Sequence, residues 1–74
     1  MIKNLYEYFD EEIQIIDVDG KEWNGYAEYY TSEVDSEGGI EEITIETAGE
    51  LICFRADEIK SIKIIKSAEL QKIV

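Results

Sequence analysis

The 74-residue chain has no histidine, no proline and a single cysteine, and 7 lysines and arginines stand against 18 aspartates and glutamates. Each shortage removes a class of function. Without histidine there is neither a Ser–His–Asp triad nor a Cys–His nucleophile pair, and one cysteine cannot complete a usual zinc site. The chain is therefore read as a non-enzyme, with no catalytic residue, no metal ligand and no cofactor. A single thiol forms no internal disulfide, no signal-type apolar segment follows the opening Met-Ile-Lys-Asn-Leu, and no apolar run reaches transmembrane length. These features predict a cytoplasmic location and no membrane partner. A chain this short makes one domain that buries only about 60% of its unfolded surface, which leaves little room for an enclosed active site.

The net charge of −11 and isoelectric point near 4.2 oppose a main role in covering phosphate backbones, which depends on cations that release counterions. No DNA partner is expected. The charge is uneven. Residues 1–50 hold 15 acids and 2 lysines, a net of −13, whereas residues 51–74 hold 3 acids, 4 lysines and Arg55, a net of +2. Any basic face must come from the last third. With 45% apolar and 11% aromatic residues the acidity does not prevent folding.

What is present is periodic. Ile2, Leu5, Tyr6 and Phe9 follow helical spacing, which predicts a short amphipathic helix over residues 2–10. Ile13, Ile15 and Ile16 then lead a first strand into Asp19-Gly20, read as a type I′ hairpin turn. The second strand, residues 21–30, alternates Trp23, Gly25, Ala27 and Tyr29 against Glu22, Asn24, Tyr26, Glu28 and Tyr30. A glycine at its centre marks a bend or a close backbone approach. Residues 31–39 are a polar loop with paired glycines. Ile43 and Ile45 alternate with Glu42, Thr44 and Glu46 in a third strand, Ala48-Gly49-Glu50 turns the chain, and residues 51–55 and 61–65 supply two more strands around a single turn at Asp57-Glu58-Ile59. The domain occupies residues 1–65. Residues 66–74 are a tail in which a helix could start at Ser67. Five short strands with exposed edges predict a mainly β fold: a short N-terminal α-helix and a five-stranded, strongly bent antiparallel small barrel, with Trp23, Ile43, Ile45, Ile52, Phe54 and Ile62 inside and Ile2, Leu5 and Phe9 over one end.

Two runs carry a family resemblance. Asp19-Gly20, Gly25, Tyr30, Thr31, Val34 and Asp35 form the first. Phe54-Arg55-Ala56-Asp57-Glu58-Ile59-Lys60-Ser61-Ile62, with its arginine, its isoleucine spacings and the preceding Ala-Gly turn, forms the second. Together with the order of elements they resemble the motifs of the Sm-like (LSM) family of SH3-like small barrels. The resemblance implies a ring in which the fourth strand of one subunit pairs with the fifth of the next, placing Leu51, Cys53, Ile62 and Ile64 at the interface. It also implies that an aromatic, an amide and an arginine contact RNA at the ring mouth, roles that fall on Tyr30, Asp35 and Arg55. Here Asp35 replaces an asparagine and Ala56 a glycine, Val34 replaces a methionine, and residues 36–39 are an insertion. A carboxylate only accepts hydrogen bonds and repels phosphate, so RNA is expected to bind weakly or not at all.

Other patterns have blander readings. Asp17, Asp19 and Glu28 fit positions 1, 3 and 12 of a calcium loop, but Lys21 and Glu22 occupy the fifth and sixth, where a ligand and a glycine belong. Glu33, Asp35, Glu37, Glu41 and Glu42 read as a solvated charge run, the tyrosines and Trp23 as core and interface anchors, and Cys53 as a buried inert thiol. Two functions remain open: an oligomeric Sm-like module that binds RNA or has lost that ability while keeping the assembly, its partner then to be sought among basic proteins, and a monomeric or dimeric acidic small-barrel module that docks a protein.

Overall fold

A computed structural model describes residues 2–65. It is mainly β. Five antiparallel strands, β1 (Glu12–Asp17), β2 (Glu22–Thr31), β3 (Glu42–Thr47), β4 (Glu50–Arg55) and β5 (Ile59–Ile64), form one sheet in the order β4-β3-β2-β1-β5. The helix expected from Ser67 lies outside the described residues.

Period-2 alternation explains which face is buried. Cross-strand pairing aligns Ile13 and Ile15 of β1 with Gly25 and Trp23 of β2 and with Ile64 and Ile62 of β5, while Ile43 and Ile45 of β3 align with Phe54 and Ile52 of β4. All point to one side. Ile13, Ile15, Ala27, Ile43, Ile45, Phe54 and Ile59 are buried, together with Leu5 and Ala56 from the flanking turns, and Trp23, Ile52 and Ile62 pack partly buried against them. The opposite face carries Glu12, Gln14, Glu22, Asn24, Thr44 and Glu46.

This inner face is wrapped around itself. The Trp23 ring of β2 meets the Phe54 ring of β4 edge-on at 5.5 Å, although β3 lies between those strands. Two irregularities support the curl, a register shift between Ala27 and Tyr29 and another between Ile16 and Asp17, because bulges raise local twist. The wrapping stops short of the closed barrel that the sequence predicts. β4 and β5 are the free ends of the sheet and share no ladder. A 3₁₀ turn, Ala56–Glu58, joins them, and the Glu58 carbonyl accepts the N–H of Val18 in the β1–β2 loop at 3.0 Å. That turn therefore docks on the loop as the chain passes from one edge of the sheet to the other.

The expected N-terminal α-helix is also corrected. Only Leu5–Tyr8 is helical, as a 3₁₀ turn, bounded by Asn4 and Asp10 at φ 62° and 68°. Asn4 offers no side-chain cap. Leu5 is fully buried, but Tyr6 is 64% and Phe9 37% exposed, and their rings stack on each other at 6.0 Å. Leu5, and not Phe9, anchors the segment.

The hairpins exchange expected geometries. Asp17 and Lys21 bracket a three-residue loop in which the N–H of Gly20 bonds the Asp17 carbonyl at 2.9 Å and Gly20 has φ 86°. Its length and the single left-handed glycine describe a type I turn with a G1 bulge, not the expected type I′ turn. The type I′ signature falls instead on Ala48-Gly49, both at positive φ, between the paired Thr47 and Glu50.

Candidate functional site

The residues singled out by sequence fall at two places, the free strand edges and the β2–β3 loop end of the sheet. At the edges, Leu51 and Cys53 pair with Glu46 and Thr44 and point to the outer face, and both are exposed. Ile62 and Ile64 pair with Ile15 and Ile13 and point inward, half-buried. These four residues thus lie in the two terminal strands of the sheet but on opposite faces. Cys53 is not buried as expected. Its Sγ lies 3.6 Å from a Glu42 carboxylate oxygen, and partial desolvation, reinforced by the nearby Glu42 and Glu58 carboxylates, pushes the thiol pKa up. The thiolate is disfavoured, which keeps the cysteine a poor nucleophile.

Tyr30, Asp35 and Arg55 are near one another in the topology but are not brought together. Tyr30 shares the inward row with Ile43 and Phe54, whereas Arg55 shares the adjacent outward row with Glu42 and Thr31. The Tyr30 hydroxyl donates to Glu41 Oε2 at 2.5 Å, and Glu41 Oε1 accepts the Leu5 N–H at 3.2 Å. One carboxylate therefore ties the N-terminal turn to the end of β2. The Tyr6 ring sits edge-on to Tyr30 at 5.3 Å. Arg55 Nη2 donates to Asp57 Oδ2 at 2.9 Å, both side chains being exposed. Asp35 is exposed in the loop, where the Ser32 hydroxyl donates to its Oδ2 at 3.3 Å. An arginine two residues before an aspartate makes the Arg55–Asp57 pair legible in sequence, but nothing there points from Tyr30 to Glu41.

That hydrogen bond, followed by desolvation and the Glu41 charge, pushes the Tyr30 pKa from 10.0 to about 12. A proton held more tightly in the folded state contributes stability below the unfolded value and loses it as pH rises through the folded value. Wild-type stability should therefore fall between pH 10.0 and about 12 by an amount that Tyr30→Phe removes. Urea titrations of both proteins on either side of that window test this, and parallel pH profiles would contradict the assigned bond.

Sequence reasoning missed one feature. A cleft of about 180 Å³ opens between the β1–β2 loop and β4, lined by Asp17, Val18, Asp19, Cys53, Phe54 and Glu58. Asp17 is its best-defined wall. Its Oδ1 accepts the N–H groups of Asp19 and Lys21, both at 2.9 Å, and its Oδ2 accepts Trp23 Nε1 at 3.0 Å. Led by the Trp23 bond, these contacts hold its pKa below the ordinary carboxylate value of 3.8. The wall is anionic at neutral pH. Asp17 and Asp19, set aside above as a failed calcium loop, serve instead to fix the hairpin and the indole. Among the described residues no three His, Cys, Asp or Glu side chains converge to hold a metal ion, and no helix is long and apolar enough to cross a membrane.

No protein-family model matches the chain, and neither a curated protein nor a solved structure matches it.

Proposed function

We propose that the chain is a self-assembling β module of the Sm-like type, whose copies join edge to edge, β4 of one beside β5 of the next, in a closed ring with weakened RNA contacts. The observation that carries this reading is the pair of free edges at opposite ends of one curled sheet. An unpaired edge offers a row of backbone donors and acceptors to another strand, and two different edges on one molecule make a head-to-tail contact that closes if the rotation closes. The sequence of five strands, one sheet with β4 and β5 at its two ends, supports the same reading.

The same reading makes RNA a poor ligand. Each hydroxyl or guanidinium that would face a nucleotide already serves a carboxylate, Tyr30 through Glu41 and Arg55 through Asp57. At a net charge of −11 per copy, the far field of a ring slows a polyanion's approach. Base stacking on an aromatic contributes about 1–3 kcal/mol and does not easily offset that repulsion. The second reading, an acidic module that docks a basic protein, is favoured by the anionic cleft beside β4.

Native mass at micromolar concentration, with and without uridine- or adenine-rich oligonucleotides at about 0.15 M salt, tests the proposal. The expected result is a defined multiple of 8.5 kDa with no RNA-dependent change. A single 8.5 kDa species would refute the ring and leave the docking module standing. Submicromolar RNA binding abolished by Arg55→Ala would restore the nucleotide site to Arg55.

A further inference from the structure

The two free edges differ in charge as well as position. Among the described residues the only ion pair is Arg55–Asp57, which leaves Lys60 and Lys63 on β5 exposed and without an acidic partner. They are the only other cations in any strand. β5 is a basic strip on a sheet whose other strands carry glutamates: Glu12 on β1, Glu22 and Glu28 on β2, Glu42 and Glu46 on β3, Glu50 on β4. At the opposite end, the outward row neighbours of β4 are Glu46 beside Leu51 and Glu42 beside Arg55, with Asp57 and Glu58 immediately beyond.

We infer that charge sets the polarity of assembly: Lys60 and Lys63 on β5 of one copy seat against Glu42 and Glu46 beside β4 of the next. This rests on the edge-to-edge reading above and specifies what recognises what. A strand added to β4 lies about 4.8 Å from it and about 10 Å from β3. Lysine reaches across that gap by laying its methylene stem over an apolar neighbour while its ammonium extends to an acid. Leu51 supplies the apolar neighbour, and the Glu42 carboxylate lies 3.6 Å from Cys53 Sγ, so it is approached over this small residue as well as past Arg55 in its own row.

The alternatives are disfavoured by the same charges. Two β5 edges meeting in a two-fold dimer would bring four lysines together. Two β4 edges would gather Glu42, Glu46 and Glu58 from both copies against one arginine each, Arg55, which Asp57 already pairs. Like charges across a strand pair destabilise it, so only the β4–β5 contact is complementary at both sides.

A charge exchange on the full chain tests this. The Lys60→Glu/Lys63→Glu and Glu42→Lys/Glu46→Lys variants should each raise the dissociation constant of the assembly at least about tenfold and sediment as single copies. An equimolar mixture should recover assemblies in which the two variants alternate, with an even number of copies. Emission from Trp23, the only tryptophan, reports whether each variant keeps the wild-type fold. If Glu42→Lys/Glu46→Lys fails to fold, neutral Lys60→Gln/Lys63→Gln should still weaken assembly, and unchanged assembly of that variant would overturn the inference. Wild-type protein found as single copies would refute edge-to-edge joining itself. Wild-type assembly with an undiminished Lys→Glu variant, or folded variants that fail to recover on mixing, would leave that joining intact and overturn the role of charge.

Discussion

Phe54→Ala is expected to lower the unfolding free energy by about 3–5 kcal/mol, as the loss of a buried aromatic does when the surrounding core only partly collapses. A domain of this size has a total stability of about 5–10 kcal/mol, so the variant would lose roughly a third of it or more. Phe54 is 6% exposed and lies in the same inward row as Ile43 and Tyr30. It is also the β4 side of the contact with Trp23, at 5.5 Å and 66° between ring planes, a pairing that contributes about 0.5–1.5 kcal/mol beyond area burial. The loss therefore combines a cavity with the release of the sheet's far end. Because β4 ends the sheet within one copy, no further strand of the same copy compensates. Urea titration followed by Trp23 emission measures both effects, and a destabilisation below about 1 kcal/mol would place the ring outside the core.

The strands were legible because their apolar residues repeat at a period of two. Ile43 and Ile45 announce β3, and the Asp-Gly and Ala-Gly pairs announce the turns. The turn types were not legible. Asp19-Gly20 satisfies a type I′ turn and a G1 bulge alike, since both place glycine at positive φ, and the choice is made by the Asp17–Lys21 pairing across the loop. Ala48 is a poor candidate for φ 52°, yet its turn has no spare residue. The 2–10 segment misled for a related reason: a 3₁₀ turn also places residues i and i+3 on one side, so Ile2 and Leu5 fit either helix. Ile13 and Ile15 could not be assigned to the core because Ile16 breaks the alternation, and Ala27 and Ala56 are too small to mark a pattern.

Less of the candidate site could be read. Sequence places Leu51, Cys53, Ile62 and Ile64 in the two edge strands but not on their faces, because facing depends on register with β3 and β1. The uneven charge was visible from the counts, whereas its segregation onto β5 required the sheet order, which puts Lys60 and Lys63 at the far end from Glu42 and Glu46. Folding also sets Asp17 against Trp23 and Glu41 against Tyr30. Both pairs use carboxylates that sequence composition treats as part of an undifferentiated acidic background. Removing either acid would therefore perturb a specific contact as well as the net charge.

Gly25→Ala should be as damaging as a core truncation, although it adds a single methyl group. A Cβ at position 25 would collide with the Glu46 carbonyl oxygen and lie 3.1 Å from its carbonyl carbon and 3.3 Å from Thr47 Cβ. Two of these atoms are backbone, so no rotamer change relieves the clash. Gly25 faces inward opposite Ile13, just before the β2–β3 pairing begins at Tyr26–Glu46, and the missing side chain lets β3 fold close over β2. The cost is expected at the upper end of the overpacking range, about 3 kcal/mol. It should also differ in kind from that of Phe54→Ala. Opening the curl at Gly25 separates Trp23 from Phe54 without deleting either ring, so the near-ultraviolet signal of the indole should collapse while far-ultraviolet strand content persists. Gly25→Ala with wild-type stability and an unchanged indole signal would mean that β2 and β3 are further apart here than their contacts require, and the curl would need another origin.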